Sequence, residues 1–308
     1  TILAGEIYNE VIINRRKDGR FYYEEKTITP LKDAAGHITH FVSTGKDVSE
    51  RMHAQQQLTH MSQHDALTEL PNRILLLDRL NQAISRARWH KRIVAVLFVD
   101  LDRFKTINDT LGHDTGDLLL QQLAARFSAC VREGDTVARF GGDEFVILLD
   151  DVANEGDIRS LATKVLGALA PTFEIAQQRL HITASIGVSL YPNDGEDAST
   201  LLKHADVAMY RAKELGKNTY QFYSADMSAR AFERLTLESS LRHALERGEL
   251  RLFYQPVIDL RNGSICSVEA LLRWQHPDFG LVLPNDFIAV LEDTSLIVPA
   301  GEWVLATA

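Results

Sequence analysis

Hydrophobic and polar positions divide the 308-residue chain into stretches of different rhythm. Residues 6–14, 21–29 and 37–45 are apolar-rich runs of strand length. Arg16-Lys17-Asp18-Gly19-Arg20 separates the first two, and Pro30 with a polar turn at 33–36 separates the last two. Asp-Gly between strand-like runs signals a hairpin, so three antiparallel strands are predicted. Three strands without a covering layer bury too little to stand alone, and the stretch reads as the back half of a domain whose front is absent. Residues 47–64 are polar, with a thin seam of Val48, Met52, Gln55, Leu58 or Thr59 and Met61 or Ser62. They predict a connecting helix capped by Asp47 or Ser49, either paired with its twin or standing alone in solvent.

From residue 65 the rhythm changes. Pro71 suits a helix start, and 74–89 carries apolar spacing for one buried face. Residues 93–99 are continuously apolar, as in a strand covered on both sides, and run into Asp100-Leu101-Asp102. Helices are predicted over 104–111 and 117–130, separated by Gly112-His113-Asp114-Thr115-Gly116. Apolar runs at 136–140 and 145–149 flank Gly141-Gly142, which reads as the turn of a hairpin. A helix (157–169), a strand (180–190), a helix (198–215) and a strand (219–223) follow. Mixed helices and strands with an antiparallel hairpin predict an α+β domain, a sheet covered by helices. Beyond it, 225–247 reads as a helix with Leu235, Leu241 and Leu245 on its apolar side, and 250–256 and 264–272 read as strands.

Bulk properties narrow the partners. Hydrophobic content of 45% and charged content of 24% are ordinary for a globular chain of two or three domains. A net charge of -9 argues against a nucleic-acid or anionic-membrane surface as the main partner. Cys130 and Cys266 lie far apart without metal-ligand spacing, and reduced cytosolic thiols are the default. No apolar run approaches the roughly 18 residues of a membrane span, so no membrane contact is expected of this stretch. A cytoplasmic location is expected, with a membrane-anchored parent left open.

Candidate chemistry gathers around Arg139-Phe140-Gly141-Gly142-Asp143-Glu144-Phe145. A hairpin tip without side-chain bulk, followed by two acids, can admit a phosphate and hold a hard cation against it. Asp100 ends a buried strand, and if that strand neighbours the hairpin its carboxylate meets Asp143 at one sheet end. Two such carboxylates can bind Mg²⁺ that completes its shell with phosphate and water. Asn108 and Asp117 could read a guanine edge, or serve as a cap and a first-turn acid. Lys213 and Lys217, four apart, are expected on one helix face, where they could neutralise phosphates or form a solvated face.

Together these residues resemble a family. Residues 60–223 are similar to the GGDEF diguanylate cyclase domain, whose fold is like the palm of nucleotide cyclases and polymerases. The resemblance rests on 65–73, 98–109, Gly112-His113 through Gly116-Asp117, 139–145, 184–188 and 212–218. It implies that Asp100, Asp143 and the Leu101 carbonyl hold Mg²⁺ (or Mn²⁺), with Glu144 assisting the metal site or the 3′-hydroxyl. It implies guanine binding by Asn108 and Asp117, phosphate binding by Lys105, Lys213 and Lys217, and close approach of the α-phosphate at Gly141 and Gly142. Two GTP-loaded domains would meet as a homodimer and form cyclic di-GMP and pyrophosphate. Arg132 and Asp135 match the family's Arg-x-x-Asp inhibitory product site in type and spacing. Glu69 departs from the family pattern, which commonly has Gly there; it lies away from the implied ligands and is expected to be tolerated, although it would strain a turn that wants positive φ.

Two flanking resemblances are partial. Residues 1–47 are similar to the C-terminal half of a PAS sensory domain, through Asn14 to Gly19, Pro30-Leu31-Lys32-Asp33 with Gly36, and Asp47-Val48-Ser49-Glu50-Arg51. Residues 225–308 resemble a linker helix and the start of an EAL cyclic di-GMP phosphodiesterase, through Tyr254-Gln255-Pro256-Val257, Glu269 to Trp274 and Pro284 to Ile288. There Glu269 would bind metal, and Gln255 and Arg273 would contact the dinucleotide. That family's (β/α) barrel needs about 250 residues, so hydrolysis by this chain is not expected and its strands should lack partners. The organisation expected is therefore PAS part (1–47), helical linker (48–64), cyclase domain (65–224) and truncated EAL part (225–308). The leading expectation is a sensor-controlled, product-inhibited diguanylate cyclase. The alternative is a GTP- or cyclic di-GMP-binding module that regulates the adjoining phosphodiesterase.

Overall fold

A computed structural model describes residues 2–4 and 6–308, without the side chains of residues 56, 230–235 and 293. The chain opens with a 3-10 turn and a meander of β1 (Tyr8–Arg15), β2 (Phe21–Lys32) and β3 (Ile38–Asp47), antiparallel in that order. Pro30 lies inside β2, which the sequence reading ended before it. The residue is tolerated because β1 pairs β2 only as far as Ile28, leaving Pro30 bonded on the β3 side alone. Only Glu24 is buried within these strands, as expected of a sheet lacking a covering layer.

The linker forms α1 (Ser49–Gln63). Neither expected cap operates in the usual way. Asp47 accepts from the Ser49 amide, and the Ser49 hydroxyl accepts from the Tyr23 amide, which ties the helix start to β2. The seam is covered at its start, where Val48 is buried, and points outward further on, with Leu58 and Met61 exposed.

Residues 65–72 form a tight turn in which Asp65 accepts from the Thr68 amide and hydroxyl. Glu69 sits at φ 59°, so the turn takes the left-handed region that favours glycine, and the glutamate is accommodated there. We expect Glu69→Gly to raise domain stability by up to about 1 kcal/mol and a β-branched residue such as Val to lower it, read from urea midpoints.

The central domain comprises α2 (Arg73–His90), β4 (Ile93–Leu101), α3 (Phe104–Leu111), α4 (His113–Ser128), β5 (Thr136–Gly141), β6 (Glu144–Val152), α5 (Glu155–Leu169), a β7 (Phe173–Ile175) and β8 (Gln178–Leu180) hairpin, β9 (Ala184–Tyr191), α6 (Ala198–Glu214) and β10 (Tyr220–Phe222). Five strands form one sheet in the order β10-β9-β4-β6-β5, antiparallel except for the β9–β10 pair. The strand expected at 180–190 is split between two partners: Gln178–Leu180 pairs with β7, whereas Ala184–Tyr191 pairs with β4, a ladder that the Asp102 amide extends to the Thr183 carbonyl. The helix expected from 117 begins at His113: Gly112, at φ 86°, makes the break alone.

Alternation along β4 explains its continuous apolar run. Ala95, Leu97 and Val99 join the core beneath α4 and α5, whereas Val94, Val96 and Phe98 join the core beneath α2 and α6. Strand parity therefore puts Asp100 on the α2/α6 side. Gly187 of β9 faces the same way, and a Cβ there would lie 1.9 Å from the Ala205 carbonyl oxygen and 2.1 Å from the Met209 nitrogen. The backbone of α6 thus rests directly on the sheet.

The C-terminal part comprises α7 (Ala225–Ala244), β11 (Leu250–Ile258), β12 (Ile265–His276), β13 (Gly280–Val282), α8 (Pro284–Asp293) and α9 (Ile297–Thr307). The strands expected to lack partners pair antiparallel with one another in the order β11-β12-β13. Trp274, Phe287 and Leu291 pack with Leu241 and Leu250 into a core of their own. Leu245 packs against that cluster, while the side chain of Leu235 lies outside the described residues. No helix among the described residues is long and apolar enough to cross a membrane.

Candidate functional site

The site lies where β4 ends beside the β5–β6 hairpin. Asp100 is paired in register with Glu144 on one side and Ser185 on the other. Directly opposed residues share a sheet face, so the Asp100 and Glu144 carboxylates are neighbours by construction. Gly141 pairs with Glu144 after an irregularity near Phe140, which makes the turn Gly142-Asp143 rather than Gly141-Gly142. Gly142 takes φ 50°. A Cβ on either glycine would meet nothing within 4 Å, so the space beside the tip is open.

Two side chains from α6 complete this edge. Lys213 places its Nζ 2.7 Å from Asp100 Oδ1. Asp206, two helical turns earlier, feels Lys213 and acts on Glu144, and sequence reasoning missed it. Its spacing of seven from Lys213 was the available signal. Burial pushes the Asp100 carboxyl above its ordinary value against the opposing pull of Lys213, with Asp143 and Asp102 adding repulsion. Burial likewise raises Glu144, reinforced by Asp206, Asp100 and Asp143. Acids held this close repel one another and attract a cation.

Among the described residues, no three acidic, histidine or cysteine side chains converge into a ready-made metal cage. Two carboxylates with a backbone carbonyl, leaving positions for phosphate and water, match the way Mg²⁺ rather than a caged metal is held. Asp100 and Asp143, which lie close enough to repel each other, are carboxylates of the kind such a donor set would use.

The remaining predicted residues fall in different surroundings. Asn108 on α3 faces Gly116 on α4, and its Oδ1 is buried without a hydrogen-bond partner. An orphaned buried acceptor is costly unless a ligand satisfies it. Asp117 and Lys105 are exposed on α4 and α3. Lys217 does not share a helix face with Lys213. The helix ends at Glu214, Gly216 turns at φ 111°, and Lys217 is exposed at φ 66° with its amide donating to the Ala212 carbonyl. A glycine-led left-handed stop breaks the four-residue spacing.

Arg132 and Asp135 bond to each other, Nε to Oδ1 at 3.2 Å, and Arg132 Nη2 also donates to the Asp150 carbonyl. Arg86, His90 and Arg92 line a neighbouring cleft of about 500 Å³ with Asp150 and Asp151. In the C-terminal part Gln255 pairs opposite Glu269, and Arg273 is four residues along, so register puts all three on one sheet face.

Two structural groups escaped the sequence reading. Asp102 is buried and accepts from the Thr183 and Ser185 hydroxyls and the Asn218 amide, fastening the end of β4 to β9. Arg139 donates to both oxygens of Asp65, at 3.0 and 3.2 Å, and to the Gly142 carbonyl, at 2.8 and 3.0 Å. It clamps the Gly142-Asp143 turn to the domain entrance.

Comparison with known proteins identifies the fold and the family. The family described as "Diguanylate cyclase, GGDEF domain" matches residues 62–219, just over half of the chain, and the EAL domain matches residues 238–308. The bifunctional diguanylate cyclase/cyclic di-GMP phosphodiesterase MucR of Pseudomonas aeruginosa is 49% identical over 252 residues, covering 82% of this chain and 37% of MucR. The cyclic di-GMP phosphodiesterase PdeR of Escherichia coli is 39% identical over 264 residues, covering 86% of this chain and 39% of PdeR. The chain therefore spans about two fifths of the length of these curated relatives. The solved GGDEF domain of TpbB (YfiN) from Pseudomonas aeruginosa is 38% identical, with a TM-score of 0.53 over 54% of this chain and 97% of that one. A helix-covered sheet with acids at one edge, matched over 97% of a solved domain, leads to one assignment: the chain belongs to the GGDEF domain family and carries an EAL-type segment behind that domain.

Proposed function

We propose that this chain is a diguanylate cyclase that condenses two GTP into cyclic di-GMP and pyrophosphate. The observation that carries the reading is the edge at which Asp100 opposes Glu144, beside the open Gly142-Asp143 turn and within reach of Lys213. Asp100, Asp143 and the Leu101 carbonyl would hold Mg²⁺, which when bound supplies charge neutralisation of the triphosphate and activation of the attacking hydroxyl. Gly141 and Gly142 leave room for the α-phosphate. Lys213, with Lys105 and Lys217, draws the phosphates in, while the orphaned Asn108 Oδ1 and Asp117 take the guanine. Glu144, kept protonated to higher pH than an ordinary glutamate, is placed to exchange a proton with the 3′-hydroxyl.

One domain holds one GTP, so two must meet face to face. The exposed Leu58 and Met61 of α1 suit a helical linker that pairs two copies under control of the PAS-like N-terminal sheet. Arg132 and Asp135 form the product-inhibition site in this reading. A second reading is favoured by the EAL-type segment and by relatives named as phosphodiesterases: the domain binds GTP or cyclic di-GMP and regulates that segment's parent.

The test is turnover of GTP with Mg²⁺, read by chromatography of cyclic di-GMP, using protein stripped of bound product. Wild-type chain is expected to form product and Asp143→Ala to lose it by at least about 10²-fold. GTP binding without product from a verified dimer would reject the cyclase and leave the binding module.

A further inference from the structure

The junction between the GGDEF domain and α7 is built more closely than a connection requires. His204, midway along α6, lies flat against Tyr223, ring centroids 4.0 Å apart with 5° between planes. The His204 Nδ1 donates to the Asp194 carbonyl at 2.5 Å, which fixes the proton on that nitrogen and the ring in its plane. The Asp194 carboxylate in turn accepts from the Leu190 amide at 2.7 Å, tying this loop to β9. Tyr223 follows β10 directly, and its amide donates to the Val188 carbonyl. Its hydroxyl shares a hydrogen bond of 2.9 Å with the Ser228 hydroxyl, in the first turn of α7.

The first turn of α7 is joined to β10 by this bond. Its N-cap, Ser224, makes no side-chain capping bond, and Tyr223–Ser228 supplies a side-chain bond to this turn from outside the helix. On the other side of the stack, α6 is a single rigid element. Between His204 and Lys213 its backbone lies on Gly187 without an intervening side chain. Nine residues of helix, about 14 Å, separate the stacked histidine from the lysine on Asp100.

We propose that the His204–Tyr223–Ser228 unit is a latch that couples the seating of α7, the helix leading into the EAL-type segment, to the position of α6 and hence of Lys213 at the catalytic edge. When α7 is seated, its serine holds the tyrosine ring flat on His204 and steadies α6. When α7 is pulled away, the ring is free to turn, and α6 keeps its contact with Gly187 but loses the lateral support of the stack at His204. The coupling stands on this junction alone. Its consequence for catalysis rests on the cyclase reading.

Hydrogen–deuterium exchange on the full chain without nucleotide separates the two. Tyr223→Phe keeps the stack and removes the bond to Ser228; Ser228→Ala removes the same bond from the other side. Each is expected to speed exchange at residues 225–229 about three- to tenfold, the size of one part-buried hydrogen bond. Each is also expected to speed exchange at least about twofold at 211–217, the end of α6 that carries Lys213, and to leave 93–101 at wild-type rates. The double variant is expected to match either single one, because both remove one bond. Faster exchange confined to 225–229, no change in either segment, or a general loosening that includes 93–101 would each overturn the latch. Absence of cyclase turnover would not alter these rates.

Discussion

Gly187→Ala is expected to destabilise the GGDEF domain by about 3 kcal/mol, lowering its melting temperature by roughly 6–12 °C. The added methyl would stand 1.9 Å from the Ala205 carbonyl oxygen and 2.1 Å from the Met209 nitrogen. Both are backbone atoms of α6, so no rotamer change relieves the clash, and the whole helix must lift from β9. That displacement carries Lys213 and Asp206 with it, and activity should fall further than the folded fraction accounts for. Thermal unfolding followed by circular dichroism checks the first effect, and turnover per folded molecule checks the second. An unchanged melting temperature would mean that α6 yields freely on the sheet.

Arg139→Ala is expected to cost about 2–3 kcal/mol and to lower turnover at least about tenfold. Arg139 and Asp65 are mostly buried, so the penalty lies between that of a surface pair and that of a fully buried one. The Gly142 carbonyl loses both of its guanidinium donors in the same step. Arg139→Lys should recover little, because one ammonium cannot span a carboxylate and a carbonyl as the planar fork does. The stability deficit should also depend on pH. Burial pushes the Asp65 carboxyl upward, but the Thr68 hydroxyl and Arg139 together hold it below its ordinary value. A carboxylate depressed on folding contributes stability that is complete above its unfolded pKa of about 3.9 and disappears as pH falls through the folded value. The gap between wild type and Arg139→Ala should therefore be widest near neutrality and narrow below pH 4, as read from urea midpoints across that range.

What the sequence reveals and what it hides follow from the range of the interactions involved. The continuous apolar run of β4 announces a doubly covered strand, because burial acts residue by residue. Glycines at 141 and 142 announce a turn, although only the pairing of Gly141 with Glu144 shows that the turn is one residue later. Asp100 could be matched with the hairpin only on the condition that their strands adjoin, and the ladder meets that condition. The Asp65–Arg139 clamp spans 74 positions and depends on how two turns come together, which no local periodicity encodes. Lys217 was misplaced because a helix end is set by the left-handed turn at Gly216, not by the spacing of charges. Asp206 was legible in principle, two turns from Lys213 on one helix, but an acid on a mixed polar face carries no signal until its neighbours are known. The C-terminal strands were expected to stand unpaired through a count of residues against a full barrel. A hairpin and a third short strand need no barrel to satisfy their ladders.

The alternation along β4 also governs which changes of length this domain can accept. One residue inserted between Ile93 and Asp100, or between Glu144 and Val152, would turn every following side chain to the opposite face. Asp100 would then point beneath α4 and α5, away from Lys213, even though each residue of the site were retained. An insertion in the connection between Leu169 and Ala184 would leave the β4–β6 register untouched. Divergence within such a domain should therefore be recorded as gaps and additions in its outer connections, with the two central strands keeping a constant number of residues while their identities drift.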